Sequence, residues 1–516
     1  MNKIYLTYSL VKTITMKNLL LILFIGITGF GFGQTANFEW ALNFGSNSYE
    51  TDYGYSIITD LQGNTITCGE FKGAIDFDPG PGTNWLNSNG GNDIFILKLD
   101  ANGDFIWAIS IGGNDRDYAV DIAQDASGNI IVIGGFMSTS IDFDPGSGVF
   151  NQSSNGAFDI FVLKLDSNGV FLWAHSFGAD GYDSASGIAV DNNDNIYLAG
   201  NYQGVNIDFD PGPGIFNLSS NGSKDIFVLK LDSNGDFLWA ISFGATDSDK
   251  GNAITADLFG HVYITGYYRG ITDFDPSPST YNLNSMGDED IFILKLDALG
   301  NFIWAKTIGG TGGDMSEDIT TDSQGNLYLT GSYESVVDFD PGSNIYNLSS
   351  TLMEDIFVLN LDESGNLIFA ITVGGIGDVE PDDEGYSIAV DLNGNIYTTG
   401  YFSGLADFDP SSNIFNLSSS DDDIFILKMS PLISNLADQK VSNNIILYPN
   451  PTSNLITIQS ENSLNNKFKV FDQQGREVMK GKLKGVSTEV SLGEISRGTY
   501  TIQVEGNCKP KLIVKE

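Results

Sequence analysis

The stretch DIFVLKLDSNGDFLWAISFG (Asp225–Gly244) decides the fold. Two runs rich in β-branched and aromatic residues flank the tetrad Asp232-Ser233-Asn234-Gly235. An Asp that bonds its own turn and a Gly that supplies positive φ make this a β-hairpin. The first run is almost continuously apolar. A strand with one wet face alternates, so this one is expected to be buried on both faces.

The pattern recurs six times in phase. D-I-F-[IV]-L begins at Asp93, Asp159, Asp225, Asp290, Asp355 and Asp423. An aromatic followed by Ala falls at Trp40, Trp107, Trp173, Trp239, Trp304 and Phe369. DFDP begins at Asp76, Asp142, Asp208, Asp273, Asp338 and Asp407, at intervals of 66, 66, 65, 65 and 69. Each unit also holds two earlier strand-like runs, such as Ser186–Asp191 and Asn195–Tyr202. Four short strands per repeat, with both faces of each sheet covered by neighbours, describe an all-β propeller of six blades. A solenoid or two separate sheets would repeat in the same way.

The order of strands speaks for a ring. The repeats open on a fourth strand, Phe38–Gly45, and close on a third, Asp423–Met429. The leading strand can complete the last sheet and cover its open edge. An open solenoid needs no such offset.

Composition sorts the rest of the chain. The protein has 516 residues, net charge -41 and 60 Gly. Residues 34–431 hold 58 acidic against 11 basic residues, whereas 432–516 hold 8 against 11. That change of sign marks a domain boundary near Leu432. The acidic body repels nucleic acid and anionic membranes. Lys12 and Lys17 precede an apolar run, Leu19–Ile27, and small residues up to Gly33. This is a signal peptide over 1–33. No later stretch is long and apolar enough to cross a membrane as a helix. The domain plan is therefore signal 1–33, propeller 34–431, linker 432–442 and a C-terminal domain 443–516.

The unit Asp232–Gly266 resembles the bacterial beta-propeller repeat SBBP, which is NHL-like in layout, with an inserted DFDPGPGIFNLSSNGSK (Asp208–Lys224). The resemblance implies a fold, not an activity. The tail alternates apolar and polar residues in Phe468–Asp472 and Thr499–Glu505, as strands of a small β-sandwich do. Its strings resemble the type A C-terminal sorting domain of the type IX secretion system of Bacteroidetes. Tyr448, Pro449, Asn450, Pro451, Gly475, Gly498 and Tyr500 match that pattern. The resemblance implies passage through the periplasm, handling by the type IX machinery, and release or attachment at the outer-membrane surface.

Propeller geometry puts the DFDP inserts and the crossover loops on one face and the D-x-x-G turns on the other. The crossover loops add one Asp per repeat: Asp52, Asp117, Asp183, Asp249, Asp314 and Asp383. Two readings of the acids follow. They are turn formers, or they bind Ca²⁺, which needs about 6–8 oxygen ligands. The calcium reading uses Asp76, Asp78 and Asp93, then Asp142, Asp144 and Asp159. It continues with Asp208, Asp210 and Asp225, and with Asp273, Asp275 and Asp290. The last two sets are Asp338, Asp340 and Asp355, and Asp407, Asp409 and Asp423. No EF-hand spacing supports it.

Catalytic signals are weak. His175 and His261 occupy non-equivalent positions, Cys68 and Cys508 fall in different domains, and no GxSxG elbow, P-loop or zinc cluster occurs. The loop Gly377–Gly385 breaks the repeat. The expected function is a secreted or surface module for binding, adhesion or structure, engaging a glycan, a protein or divalent ions. A polysaccharide hydrolase or lyase and a calcium-dependent glycan binder are the alternatives.

Overall fold

The computed structural model describes residues 40, 42–45, 52–257, 260–375, 383–391, 393–410, 414–419, 423–430, 445–448, 452, 454–464, 467–471, 476–483, 485–493, 495–504 and 511–515. All regular elements among them are strands. The chain divides into two compact units, Met1–Met429 and Ser430–Glu516. The expected signal peptide and linker, with Pro449, Asn450, Pro451 and Gly475, lie outside the described residues, as does most of the loop Gly377–Gly385.

Five repeats build blades of four antiparallel strands, the fifth of which runs on into a six-stranded sheet through Leu405–Asp407 and Asn416–Ser418. In the third, the inner strand Ser184–Val190 pairs with Ile196–Tyr202, then Asp225–Leu231, then the outer strand Phe237–Phe243. Every residue of Asp225–Leu231 is buried, as its unbroken apolar run requires. Inner strands of consecutive sheets pack on one another from the first repeat to the sixth. Clusters of buried residues cross these junctions, for example Val162 of the second sheet with Leu198 and Phe227 of the third. This is a β-propeller arrangement.

The turns follow their residues. In Asp100–Asp104, Asp100 Oδ1 accepts the backbone N–H groups of Asn102 and Asp104. Gly103 adopts φ 85°, a conformation that favours glycine. The same end of the sheets carries a repeated staple. Lys164 Nζ lies 2.9 Å from Asp125 and donates to the Ser233 carbonyl of the next blade at 2.8 Å.

The six full blades expected from the sequence are corrected to five. The sixth repeat forms a three-stranded sheet, Glu384–Val390, Ile396–Phe402 and Asp423–Met429. The described residues of the leading segment, Trp40 and Leu42–Gly45, carry no ladder pairing to Asp423–Met429. Ile424 and Ile426 on that edge strand are each 82% exposed. The leading segment instead places its large side chains on the first blade. Apolar docking can form there without the long-range ladder that closure demands.

The C-terminal unit has a three-stranded sheet (Ile445–Tyr448, Leu455–Leu464, Gly485–Ser491) and a four-stranded one (Glu477–Lys482, Lys467–Phe471, Gly498–Val504, Lys511–Lys515). Ile456, Ile458 and Val490 from the first and Phe468, Val470 and Ile502 from the second share one apolar cluster. Tyr500 donates its hydroxyl to the Ser496 carbonyl at 2.9 Å.

Candidate functional site

The end of the sheets opposite the D-x-x-G turns carries the inserts and crossovers. There the DFDP acids act on backbone. Asp76 Oδ1 accepts the N–H of Asp78 and, at 2.7 Å, of Asn84 eight residues on. Asp142, Asp208, Asp273, Asp338 and Asp407 repeat this with Phe150, Phe216, Tyr281, Tyr346 and Phe415. Asp78, Asp144, Asp210 and Asp340 each cap a Gly N–H two residues on, and Asp275 caps Ser277. Phe77 and its equivalents fill the core beneath. Among the described residues, no three or more His, Cys, Asp or Glu side chains lie close enough to share a metal ion. Asp76, Asp78 and Asp93 are therefore not brought together, and neither are their counterparts.

Asp93 belongs to a different arrangement, at the seam between blades. The Asp117 backbone N–H donates to the Asn92 carbonyl, which ties the second blade to the residue before Asp93. The same bond joins Asp183 to Phe158, Asp249 to Lys224, Asp314 to Glu289 and Asp383 to Glu354. Each seam thus buries two carboxyl groups: Asp93 and Asp117, Asp159 and Asp183, Asp225 and Asp249, Asp290 and Asp314, Asp355 and Asp383. Asp117 is well served, accepting from Gly113, Met137 and Ser138. Asp93 accepts from Asn89, while its Oδ1 has no partner, as is true of Asp159, Asp225 and Asp290. Desolvation, with the neighbouring Asp117 adding to it, pushes the Asp93 carboxyl up to about 7. Asp159 and Asp355 behave alike. A Cβ on Gly112 would lie 2.1 Å from Asp93 Cγ, so this seat requires glycine. The G that ends each outer strand (Gly112, Gly178, Gly244, Gly309, Gly374) has that one cause.

One departure of the rim from the repeat forms a pocket. Arg116, Tyr118, Phe158, Tyr182, Lys224, Lys250 and Tyr267 line an open pocket of about 370 Å³ with Ser184 and Asn201. They come from crossovers, inner-strand starts, second-strand ends and, for Phe158 and Lys224, the residue before a third strand, in the second to fourth repeats. Tyr118 and Phe158 meet edge to face at 5.3 Å, and Phe158 and Tyr182 lie 6.0 Å apart, so three rings form a continuous wall. Arg116 is held in a two-pronged pair by Glu70, at 2.8 and 2.6 Å, and lies over Tyr118. Among the described residues neither Lys224 nor Lys250 forms an ion pair. Sequence reading missed this pocket. Its signal was present: of the 11 basic residues in 34–431, five are the repeated third-strand Lys, and three of the other six meet here.

The inner strands carry further acids. Asp121 accepts from Ser56 Oγ at 2.8 Å and from the Ile188 N–H, and Asp318 does the same with Ser387 and Ile388. Burial pushes Asp121 up to about 6. Both link neighbouring inner strands. His261 Nδ1 lies 2.7 Å from Asp257 Oδ2, in the place that Asn64 takes on Asp60. His175 lies against Trp173, and burial lowers its pKa. Cys68 is buried and free, with its thiol pushed up by desolvation.

Known proteins resemble the chain in parts. Residues 446–515 match the family described as secretion system C-terminal sorting domain. Residues 172–201, 303–332 and 376–401 match the beta-propeller repeat SBBP. An uncharacterized WD repeat-containing protein, L264 of Acanthamoeba polyphaga mimivirus, is 25% identical over 446 residues, covering 72% of this chain and 32% of its own length. Regulatory protein FlaEY of Caulobacter vibrioides is 27% identical over 202 residues, covering 38% and 20%. The chain thus spans a third or less of these relatives. Among solved structures, PorZ, a surface component of the type IX secretion system of Porphyromonas gingivalis, shows 14% identity and a TM-score of 0.22, over 90% of this chain and 69% of that one. A fungal alcohol oxidase in complex with copper shows 11% identity and a TM-score of 0.29, over 90% and 98%. Neither likeness bears on activity. The chain carries SBBP beta-propeller repeats and a type IX sorting domain, and it is a secreted or cell-surface protein. Among the described residues no helix is long and apolar enough to cross a membrane.

Proposed function

We propose that this exported propeller is a binding module whose ligand site is the rim pocket of the second to fourth repeats. The observation that carries the reading is the break in symmetry. The turn, insert and seam residues recur from blade to blade, whereas Arg116, Tyr182, Lys224 and Lys250 stand at the rim where other repeats carry different residues. A fold repeated for stability varies where a ligand is recognised. The inner-strand carboxyls Asp121 and Asp318 are spent on neighbouring backbone and serines, which speaks against the hydrolase or lyase reading.

The reading includes a ring of six blades completed by the leading segment, and a sorting domain packed as a small sandwich that engages the type IX machinery. Support for the ring comes from Trp40 and Phe44, which dock on the first blade as outer strands dock elsewhere. The test of function is an array of glycans and peptides probed with the intact chain and with Tyr182→Ala. Ligands retained by the first and lost by the second support the reading. Ligands retained equally by both place binding elsewhere.

A further inference from the structure

The rim pocket sits in a chain of net charge -41, yet three of its lining side chains are cationic. Their partners differ. Arg116 is neutralised by Glu70 and serves to hold the Tyr118 ring. Lys224 lies 5.9 Å from the centre of the Tyr182 ring, and among the described residues neither it nor Lys250 is paired with a carboxylate. Asp183 also lines the pocket, but both its oxygens accept backbone N–H groups, from Ala179 and Gln203. Two ammonium groups without a close ion pair, drawn only at longer range by Asp183 and Glu317, stand beside an aromatic wall and ask for an anion with a flat apolar face.

We infer that the pocket binds a carboxylated sugar, a hexuronate unit of an acidic polysaccharide, with its ring on Tyr182 and Phe158 and its carboxylate between Lys224 and Lys250. The inference rests on the rim pocket being the ligand site. A pyranose ring is rigid and presents C–H groups on one face, so stacking on tyrosine costs little conformational freedom. An acidic peptide would bring the same charge but would lose backbone and side-chain freedom on binding. The volume of about 370 Å³ falls at the small end of ligand pockets and suits one or two sugar rings. Asn201 and Ser184 supply polar side chains for ring hydroxyls.

The test is calorimetric titration of the full chain with galacturonate tetramer, galactose tetramer and a short poly-glutamate peptide. The galacturonate tetramer is expected to bind, with galactose weaker and the peptide weaker still. Lys224→Ala and Lys250→Ala are each expected to weaken uronate binding about tenfold and to leave the galactose affinity in place, as loss of one charge-assisted contact predicts. The melting temperatures of both variants should stay near the parent value, because neither lysine forms a close ion pair among the described residues. Galactose binding as tightly as galacturonate would overturn the inference and leave the pocket a neutral sugar site. Preferential peptide binding, lost in both lysine variants, would overturn it in favour of an acidic protein. If none of the three binds, the uronate inference fails, and the array with Tyr182→Ala decides the wider reading separately.

Discussion

Trp40 lays its indole over Gly103, with ring carbons 3.1 and 3.4 Å from where a Cβ would stand, and donates to the Ala101 carbonyl at 3.2 Å. Trp239 of the third blade does the same to Gly300 and Ala298 of the fourth. Phe44 stacks on Phe77 as Phe177 stacks on Phe209. In both respects the leading segment stands to the first blade as an outer strand stands to the blade after it. This docking supports the proposed closure of the ring by the leading segment.

The glycine that ends each outer strand is held by the seam carboxyl. Gly112→Ala is expected to destabilise the protein by about 2–4 kcal/mol, because Asp93 must leave a buried seat or the backbone must shift. Combining it with Asp93→Ala should cost less than the sum of the two changes, since the clash disappears. Urea unfolding of the four proteins measures this, and additive losses would separate the two residues.

Stability should fall as pH rises from about 4 to neutral. Asp93, Asp159, Asp314 and Asp355 have folded-state pKa values raised to about 7 by burial, with facing groups Asp117, Asp183, Asp290 with Glu334, and Asp383 adding charge. The unfolded value is near 3.8. The folded state therefore holds more protons between about 4 and 7, and stability declines as pH rises through that window. Turn acids act the other way. Asp60, lowered to about 2 by Lys98 and its turn amides, contributes stability that is lost as pH falls below about 4. The melting temperature is expected to peak near pH 4. Asp93→Asn should flatten the fall between about pH 4 and 7, and a parent protein that is most stable at pH 8 would refute the assignment.

Divalent cations test the loop acids. Asp76 and Asp78 already accept backbone N–H groups, and taking Ca²⁺ would cost those bonds. Saturating Ca²⁺ followed by EDTA is expected to move the melting temperature by less than about 2 °C, because binding only to the native state would raise it measurably. A large, reversible rise would show that the loops rearrange around the ion.

Much of the fold could be read from residues alone because each sign had one local cause. The unbroken run in Asp225–Leu231 meant two covered faces, and the Asp–Gly spacing meant turns. His261 was legible as a turn residue because it stands where Asn stands in sibling repeats. The DFDP acids were ambiguous, since an Asp that caps backbone and one that binds calcium have the same spacing. The rim pocket was not legible along the chain. Lys224 and Lys250 lie in successive repeats and Tyr118 in an earlier one, and only stacking of the blades brings them together.

Completion of the ring is the central claim, and a disulfide reports on it most directly. In the first blade Ile94 pairs with Ile111 and Ile96 with Ile109. In a closed ring the same register would set Ile424 against Phe44 and Ile426 against Leu42. A Leu42→Cys/Ile426→Cys protein should oxidise to an internal crosslink under native conditions, which requires Cα atoms within about 7 Å. Shifting one partner to Phe425→Cys should abolish it, because that side chain faces the other side of the sheet. A leading strand that never crosslinks to Ile426, or does so only between molecules, would contradict the closed ring.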